Sequence, residues 1–91
     1  GGEKVYPQEV ENIILKHSKV KDVTIYKEKN QILGNIVCAN ILMKNPSYNT
    51  NNSKSDIKSF CNGKIEPFKI PIKINFVNKE IFGLRFKKKR K

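Results

Sequence analysis

The chain ends in five consecutive cations, residues 87–91 (KKKRK), which are its densest group of chemically useful side chains. Fixed ammonium and guanidinium groups bind phosphates and stabilise negative charge that develops during a reaction. Phe82 and Phe86 precede the run, and basic residues interleaved with aromatics bind single-stranded nucleic acid in some proteins. No RNA-binding signature accompanies them, so nucleic acid is not the expected partner. The run also has the composition of a solvated terminal tail.

The sequence offers few other reactive groups. His17 is the only histidine, and the two cysteines, Cys38 and Cys61, lie among apolar neighbours as expected for reduced, buried residues. A structural zinc site takes about four ligands, which this set does not provide, so no metal site is predicted. Glu9 and Glu11 suit the start of a helix, where carboxylates are favourable, better than a catalytic pair in a shared pocket.

Length and charge limit the possible classes of protein. Ninety-one residues form one domain, residues 1–91, with one modest core. The sequence has no signal-peptide core and no apolar run that could cross a membrane, so a cytoplasmic location without a membrane partner is expected. A net charge of +11 favours anionic partners.

The first half of the chain reads as a helix and two strands. Residues 7–17 have the apolar spacing of one helical face, with proline at the first turn and His17 at the end. Residues 23–26 predict a short strand and residues 27–31 a turn. Residues 35–43 predict a longer strand that is apolar on both faces, which places it in the centre of a sheet.

The second half predicts a helix and a strand. Asn52 or Ser53 is the expected helix cap, with a capping-box-like spacing from Ser53 to Asp56, and Gly63 ends the helix. In residues 72–77, the alternation places Ile72, Ile74 and Phe76 inward. The fold class is therefore α+β, a three-stranded sheet with two helices on one face. Residues 78–91 form a loop and then the basic run.

Four segments, in order, resemble motifs of the AMP-binding, acyl-CoA synthetase family. Residues 1–11 (GGEKVYPQEVE) resemble the motif next to that family's hinge. Residues 17–23 (HSKVKDV) resemble H-P-x-V-x-D-V, residues 33–39 (LGNIVCA) resemble L-G-E-x-V-x-A, and residues 68–71 (FKIP) resemble Y-K-x-P. The match in order and spacing runs over nearly the whole chain. The chain is thus identified as the mobile C-terminal domain of an adenylate-forming ligase, without that enzyme's large N-terminal domain.

The resemblance implies a two-step reaction. A carboxylic acid reacts with ATP, used with Mg²⁺, to give an acyl-adenylate and pyrophosphate, and a thiol then displaces AMP. The thiol is that of CoA or of a carrier-protein pantetheine. The partners implied are the chain's own N-terminal adenylation domain, a small carboxylic acid and CoA or a carrier protein. The isolated domain is not expected to be active.

The resemblance also implies a catalytic lysine near the C-terminus. Counting from Val77 without a gap places Lys87 at that position. The preceding residues 81–86 (IFGLRF) differ from the family's P-x-T-x-S-G loop, and Phe86 replaces the glycine before the lysine. Three interpretations follow. Lys87 acts from a variant loop, Lys88 or Lys89 acts in a shifted register, or the step has been lost; the first is preferred.

At the other end of the chain, Gly1 and Gly2 match a glycine pair that leaves room for the pantetheine arm of the thiol. The pair would equally form a tight turn. Lys4 matches a basic position near the nucleotide phosphate and is equally typical of an exposed strand lysine. A second functional class stays open, in which the fold is a non-catalytic basic module that binds a polyanion or an acidic carrier protein.

Overall fold

The computed structural model describes residues 5–78 of the chain. Its regular elements are α1 (Pro7–Ile14), β1 (Val20–Asn30), β2 (Gly34–Met43), α2 (Asn51–Cys61) and β3 (Lys73–Phe76). Short 3-10 turns lie at Pro46–Tyr48 and Pro67–Lys69. The predicted order of helix, two strands, helix and strand is confirmed, and so is the α+β class.

Strand β2 is the centre of a three-stranded sheet with the order β1-β2-β3. It pairs antiparallel with β1, from Val20 opposite Met43 to Asn30 opposite Gly34. It pairs parallel with β3, from Cys38 opposite Lys73 to Ile41 opposite Phe76. A parallel pair needs a crossover connection, which here contains α2. The predicted central position of this strand is confirmed.

The core lies between the two helices and one face of the sheet. Val10 and Ile14 of α1 and Ile57 and Cys61 of α2 are fully buried, and they belong to one apolar cluster with residues of all three strands. The strand residues of this cluster are Val20, Val23, Ile25, Val37, Ala39, Ile41, Met43 and Ile74. Both helices therefore cover the same face, as predicted from the apolar periodicity.

Several predicted boundaries in the first half were wrong. α1 ends at Ile14, not at residue 17, and β1 begins at Val20 and continues to Asn30 through the predicted turn of residues 27–31. Pairing with β2 explains the longer strand, because each residue from 20 to 30 has a partner in β2 apart from Lys21, which lies at a register irregularity. Tertiary pairing overrides the low strand propensity of the polar residues.

Two details in the second half were also wrong. Thr50, not Asn52 or Ser53, caps α2, because its side chain accepts a hydrogen bond from the Ser53 N–H at 3.1 Å. Ile72 is 52% exposed and precedes β3, whereas Ile74 is buried and Phe76 packs against the core. The prediction for Gly63 holds: it follows α2 closely and has a φ of 86°.

Two carboxylates bind the outer edge of β1. The Ile25 N–H donates to Glu11 Oε2 at 3.0 Å, and the Val23 N–H donates to Asp22 Oδ1 at 2.8 Å. These amides point away from β2, so no neighbouring strand supplies an acceptor for them. The two carboxylates supply it instead. Glu11 is buried although glutamate is a polar residue. Glu11 and Asp22, both in motif positions, therefore stabilise the fold.

The side chains on the opposite face of the sheet form a polar network. Asn75 Nδ2 donates to Tyr26 Oη at 3.3 Å and to Asn40 Oδ1 at 3.2 Å. Lys73 Nζ lies 3.3 Å from Glu28 Oε1. Burial is the largest cause of the raised pKa of Tyr26 and of Cys38. Hydrogen bonding to Glu28 is the largest cause of the raised pKa of Lys73. Cys38 is thus held as a thiol.

We expect Glu11→Ala to lower the free energy of unfolding by about 2 kcal/mol, because it leaves the buried Ile25 N–H without its acceptor. Glu11→Gln retains a carbonyl oxygen at the same place and should cost less than about half as much. Urea denaturation of both variants measures the difference. Equal losses in the two variants would show that the carboxylate does not act through this hydrogen bond.

Stability should fall as the pH rises into the alkaline range. Cys38, Tyr26 and Lys73 have raised pKa values relative to 9.0, 10.0 and 10.5, so the folded chain keeps protons that the unfolded chain releases. The urea midpoint, measured under reducing conditions, should decrease as the pH rises through these values. Cys38→Ala should reduce the first part of the decrease, and the buried thiol of Cys61, whose pKa is also raised, should account for the remainder of that part. A urea midpoint that increases as the pH rises above 9.0, the thiol's ordinary pKa, would contradict this assignment.

Candidate functional site

The predicted site residues Gly1, Gly2, Lys4 and Lys87 lie outside the described residues 5–78. Their roles stay predictions. The described part defines where the two segments that carry them join the domain, and which side chains surround each junction. These two regions, at the two ends of the sheet, form the candidate site.

The tail end of the domain is the end of the sheet where β1 begins and where β2 and β3 finish. Val20 lies opposite Met43 there, and Ile41 lies opposite Phe76. The Val77 N–H donates to the Ile41 carbonyl at 3.0 Å, which extends the pairing of β3 by one bond. The segment that carries Lys87 continues along the chain from this end.

The hinge end is the opposite end, where β2, β3 and α1 begin. Lys69, four residues before β3, binds Glu9 in the first turn of α1 at 3.0 Å and Glu66 at 2.7 Å. This contact brings the beginning of α1 to the beginning of β3. Residues 1–4, which carry the glycine pair, therefore precede the domain at the hinge end in chain order, whereas residues 79–91 follow it at the tail end.

The Lys69 contact joins two of the motifs that carried the family resemblance. Hydrogen bonds to Glu66 and Glu9 raise the pKa of Lys69, so the ammonium stays protonated. Two carboxylates surround its charge, which suits Lys69 to fixing the domain's shape rather than to stabilising an anionic substrate. Sequence reasoning did not give Lys69 a role, although its position in the F-K-I-P segment was the signal that could have indicated one.

At the hinge end, a tight turn joins β1 to β2. Asn30 Oδ1 accepts hydrogen bonds from the Ile32 N–H at 2.9 Å and the Leu33 N–H at 2.8 Å. Gly34 has a φ of 80°, which a residue with a Cβ rarely adopts. Asn30 and Gly34 together build the turn, and they leave Ile32 and Leu33 at its exposed tip.

Lysines surround the tail end. Lys21 and Lys44 line a cleft there together with Val77 and Asn78, the last described residues before the predicted lysine loop. Lys19 Nζ also lies 5.1 Å from the ring centroid of Tyr48. These exposed ammonium groups make the tail end electropositive, which suits it to approach a phosphate-bearing ligand.

His17 connects the end of α1 to α2. The Lys19 N–H donates to Nδ1 at 3.1 Å, so the ring proton lies on Nε2, which donates to Asp56 Oδ2 at 2.7 Å. The ring also makes an edge contact with Phe60, with 5.0 Å between centroids. The prediction that His17 terminates α1 was wrong, because it lies in the following turn and is buried. It acts as a structural connection, and Asp56 binds it instead of completing a capping box.

The described residues contain positioning groups rather than reactive ones. No three His, Cys, Asp or Glu side chains within residues 5–78 come together to hold a metal ion. Cys38 and Cys61 are free and buried, as predicted, and burial raises the pKa of both thiols. Within the same range, neither helix is long and apolar enough to cross a bilayer.

Comparison with characterised proteins gives a consistent family. The family described as "AMP-binding enzyme C-terminal domain" matches residues 9–82. The chain is 42% identical to the medium-chain acyl-CoA ligase ACSF2, mitochondrial, of Mus musculus, over 85% of this chain and 12% of the mouse protein. It is 30% identical to 2-succinylbenzoate–CoA ligase of Geobacillus kaustophilus, over 86% of this chain and 15% of that protein. The chain therefore spans only a small part of the length of these relatives.

Solved structures of the same kind of enzyme share the fold. A fatty acyl CoA synthetase of Mycobacterium tuberculosis is 26% identical with a TM-score of 0.72, over 85% of this chain and 14% of that one. The o-succinylbenzoate CoA synthetase of Bacillus subtilis, in complex with its acyl-adenylate intermediate, is 26% identical with a TM-score of 0.73, over 85% of this chain and 15% of that one. By sequence and by fold, the chain belongs to the family of AMP-binding enzyme C-terminal domains of the acyl-CoA synthetase type.

Proposed function

We propose that this chain is the mobile domain of an ATP-dependent acid–thiol ligase. In the first half-reaction, a carboxylate oxygen attacks the α-phosphorus of ATP, and pyrophosphate leaves. In the second, a thiol sulfur attacks the acyl carbon, the thiol proton is released, and AMP leaves. CoA is the proposed thiol, because the relatives described above are named as CoA ligases or CoA synthetases.

In this proposal, Lys87 serves the first half-reaction. Negative charge concentrates on the carboxylate and phosphate oxygens as they approach each other, and a fixed ammonium group lowers that barrier. Mg²⁺ bound with ATP would supply further charge neutralisation. Lys87 would enter from the tail end, beside the cleft that Lys21 and Lys44 line. Its flexible stem suits a charge that must enter the site for one step and leave for the next.

Gly1 and Gly2 serve the second half-reaction in this proposal. Residues without a side chain would leave room for the narrow pantetheine arm beside the hinge, and Lys4 would approach the nucleotide phosphate. Because these residues precede α1, they would act at the hinge end. Glu9, in the first turn of the helix that follows them in sequence, contacts Lys69 in the part of the chain that leads into β3.

The opposite positions of the two junctions are the observation that carries the proposal. The domain has one sheet and one core. In chain order, the hinge-proximal segment leads into one end of this sheet, and the lysine segment follows from the other end. A rotation of such a domain about its hinge would present one end to the nucleotide while it withdraws the other. The same arrangement accounts for a two-step reaction with two different sets of residues.

The names of the relatives suggest a class of acid substrate to test. The curated relatives at 42% identity are named medium-chain acyl-CoA ligases, and octanoate is therefore a suitable probe. The cytoplasmic location predicted from the sequence stays a prediction, and the mouse relative is named as a mitochondrial protein.

In the full-length ligase, we expect Lys87→Ala to lower octanoate-dependent ATP–pyrophosphate exchange by about 10²–10³-fold, the usual effect of removing one preorganised charge from a transition state. Lys88→Ala and Lys89→Ala are matched controls that test the shifted register, and each should leave exchange within about twofold. Undiminished exchange in all three variants would remove the lysine role and favour the non-catalytic basic module.

Gly2→Leu should separate the two half-reactions. We expect ATP–pyrophosphate exchange close to the wild-type rate, because Gly2 belongs to the segment that leads into the hinge end. The proposed adenylation lysine belongs to the segment that follows the tail end. Formation of octanoyl-CoA should fall at least about tenfold, since a leucine side chain occupies the thiol's path. Gly2→Ala, with a smaller side chain, should lie between the two. Equal losses in both half-reactions would contradict the proposed division of work.

A further inference from the structure

The hairpin formed by β1 and β2 carries two exposed apolar residues at its tip. Ile32 is 90% exposed and Leu33 is 62% exposed. Turns are normally built from polar residues, glycine and proline, and here Asn30 and Gly34 already provide the hydrogen bonds and the positive φ that the turn needs. The turn geometry therefore does not explain why Ile32 and Leu33 are apolar.

The tip also projects from the body of the domain. The first hydrogen bond between β2 and the β3 segment runs from the Ile72 N–H to the Val37 carbonyl at 2.8 Å. Gly34, Asn35 and Ile36 lie beyond it and pair with β1 alone. At ~3.3 Å per residue, this length extends the tip by ~10 Å past the beginning of β3. We call residues 27–37 the hairpin arm.

Other exposed apolar side chains lie toward the same end of the domain. The large hydrophobic residues that are exposed within residues 5–78 are Tyr6, Leu15, Ile32, Leu33, Phe68 and Ile72. Phe68 and Ile72 both precede β3, and Tyr6 precedes α1, so all but Leu15 lie toward the hinge end. Exposed apolar groups concentrated on one side of a domain mark an interaction surface.

From these observations we propose that the hairpin arm docks into an apolar depression of the large domain of the same polypeptide, in the thiol-transfer state. This inference rests on the proposed function. The large domain is the proposed partner for two reasons. This chain spans only 12% of the length of its curated relatives, and the segment that precedes α1 joins the domain at the hinge end, from which the arm projects. The exposed Lys27 and Lys29 lie on the arm below the tip, so the depression should have an acidic rim.

The assignment to one of the two states follows from geometry. The arm projects from the hinge end, whereas the segment that carries Lys87 leaves from the tail end. A rigid domain that turns its tail end toward the nucleotide turns the arm away. The contact is therefore made in the thiol-transfer state and lost during adenylation.

The test uses the full-length ligase with octanoate, ATP and CoA. In the double variant Ile32→Ser/Leu33→Ser, octanoyl transfer from preformed adenylate to CoA should slow about tenfold or more in single-turnover experiments, because a loosely placed domain aligns the thiol poorly. ATP–pyrophosphate exchange should stay within about twofold. The matched control is Leu15→Ser, which removes an apolar side chain that is 41% exposed away from the arm, and it should change neither rate.

Each result has a distinct meaning. Wild-type rates for both half-reactions in the double variant would overturn the docking proposal while leaving the proposed function intact. Absence of exchange in the wild-type enzyme would overturn the proposed function itself. Slower transfer together with a loss of dimers in sedimentation would assign the arm to a second copy of the chain and overturn the large domain as its occupant.

Discussion

The burial of β2 is the constraint on which the rest of this domain depends. Residues 36–41 of this strand are all buried, although only one face of the sheet is covered by helices. On the helical face, Val37, Ala39 and Ile41 contact the core. On the other face, the long side chains of neighbouring strands cover Cys38 and Asn40 and give Asn40 a hydrogen-bond partner. Because β2 has partners on both edges and cover on both faces, it fixes the positions of β1 and β3, and these strands define the two ends of the domain.

The two ends differ in chemistry as well as position. The hinge end has apolar side chains and a lysine that two carboxylates surround, whereas the tail end has exposed ammonium groups around a cleft. A domain with two alternating contacts needs such a difference, because each contact must favour one orientation over the other. The proposed activity thus depends less on any single reactive side chain in residues 5–78 than on the asymmetry of the sheet that carries them.

The fold could be predicted from the sequence wherever apolar periodicity decided the structure. The central strand, the common face of the helices and the burial of the cysteines all follow from local patterns. The errors arose where distant residues decide. The length of β1 depends on pairing with β2, and the exposure of Ile72 depends on where β3 joins the sheet. The cap of α2 was a local feature, but Thr50 competed with Asn52 and Ser53, which are equally suited to that position.

The candidate site was less predictable for a different reason. Several contacts of this region join residues at least 14 positions apart, namely those of Lys69 with Glu9, His17 with Asp56 and Glu11 with Ile25. The contact of Lys69 with Glu66 is the local one. No periodicity encodes such pairs. The resemblance did point to the segments that contain them, since all three lie within matched motifs. It did not distinguish a residue that contacts substrate from one that holds the domain together.

The carboxylates on β1 have a consequence for how this domain behaves among other proteins. An edge strand with free amides is a template on which another chain's strand can assemble, and this is a common route to aggregation. Glu11 and Asp22 already occupy two successive outward amides of the long edge strand. The other edge, β3, is only four residues long. In the proposed mechanism, in which the domain detaches repeatedly from a larger neighbour, these carboxylates would limit strand pairing with other proteins while the domain is free.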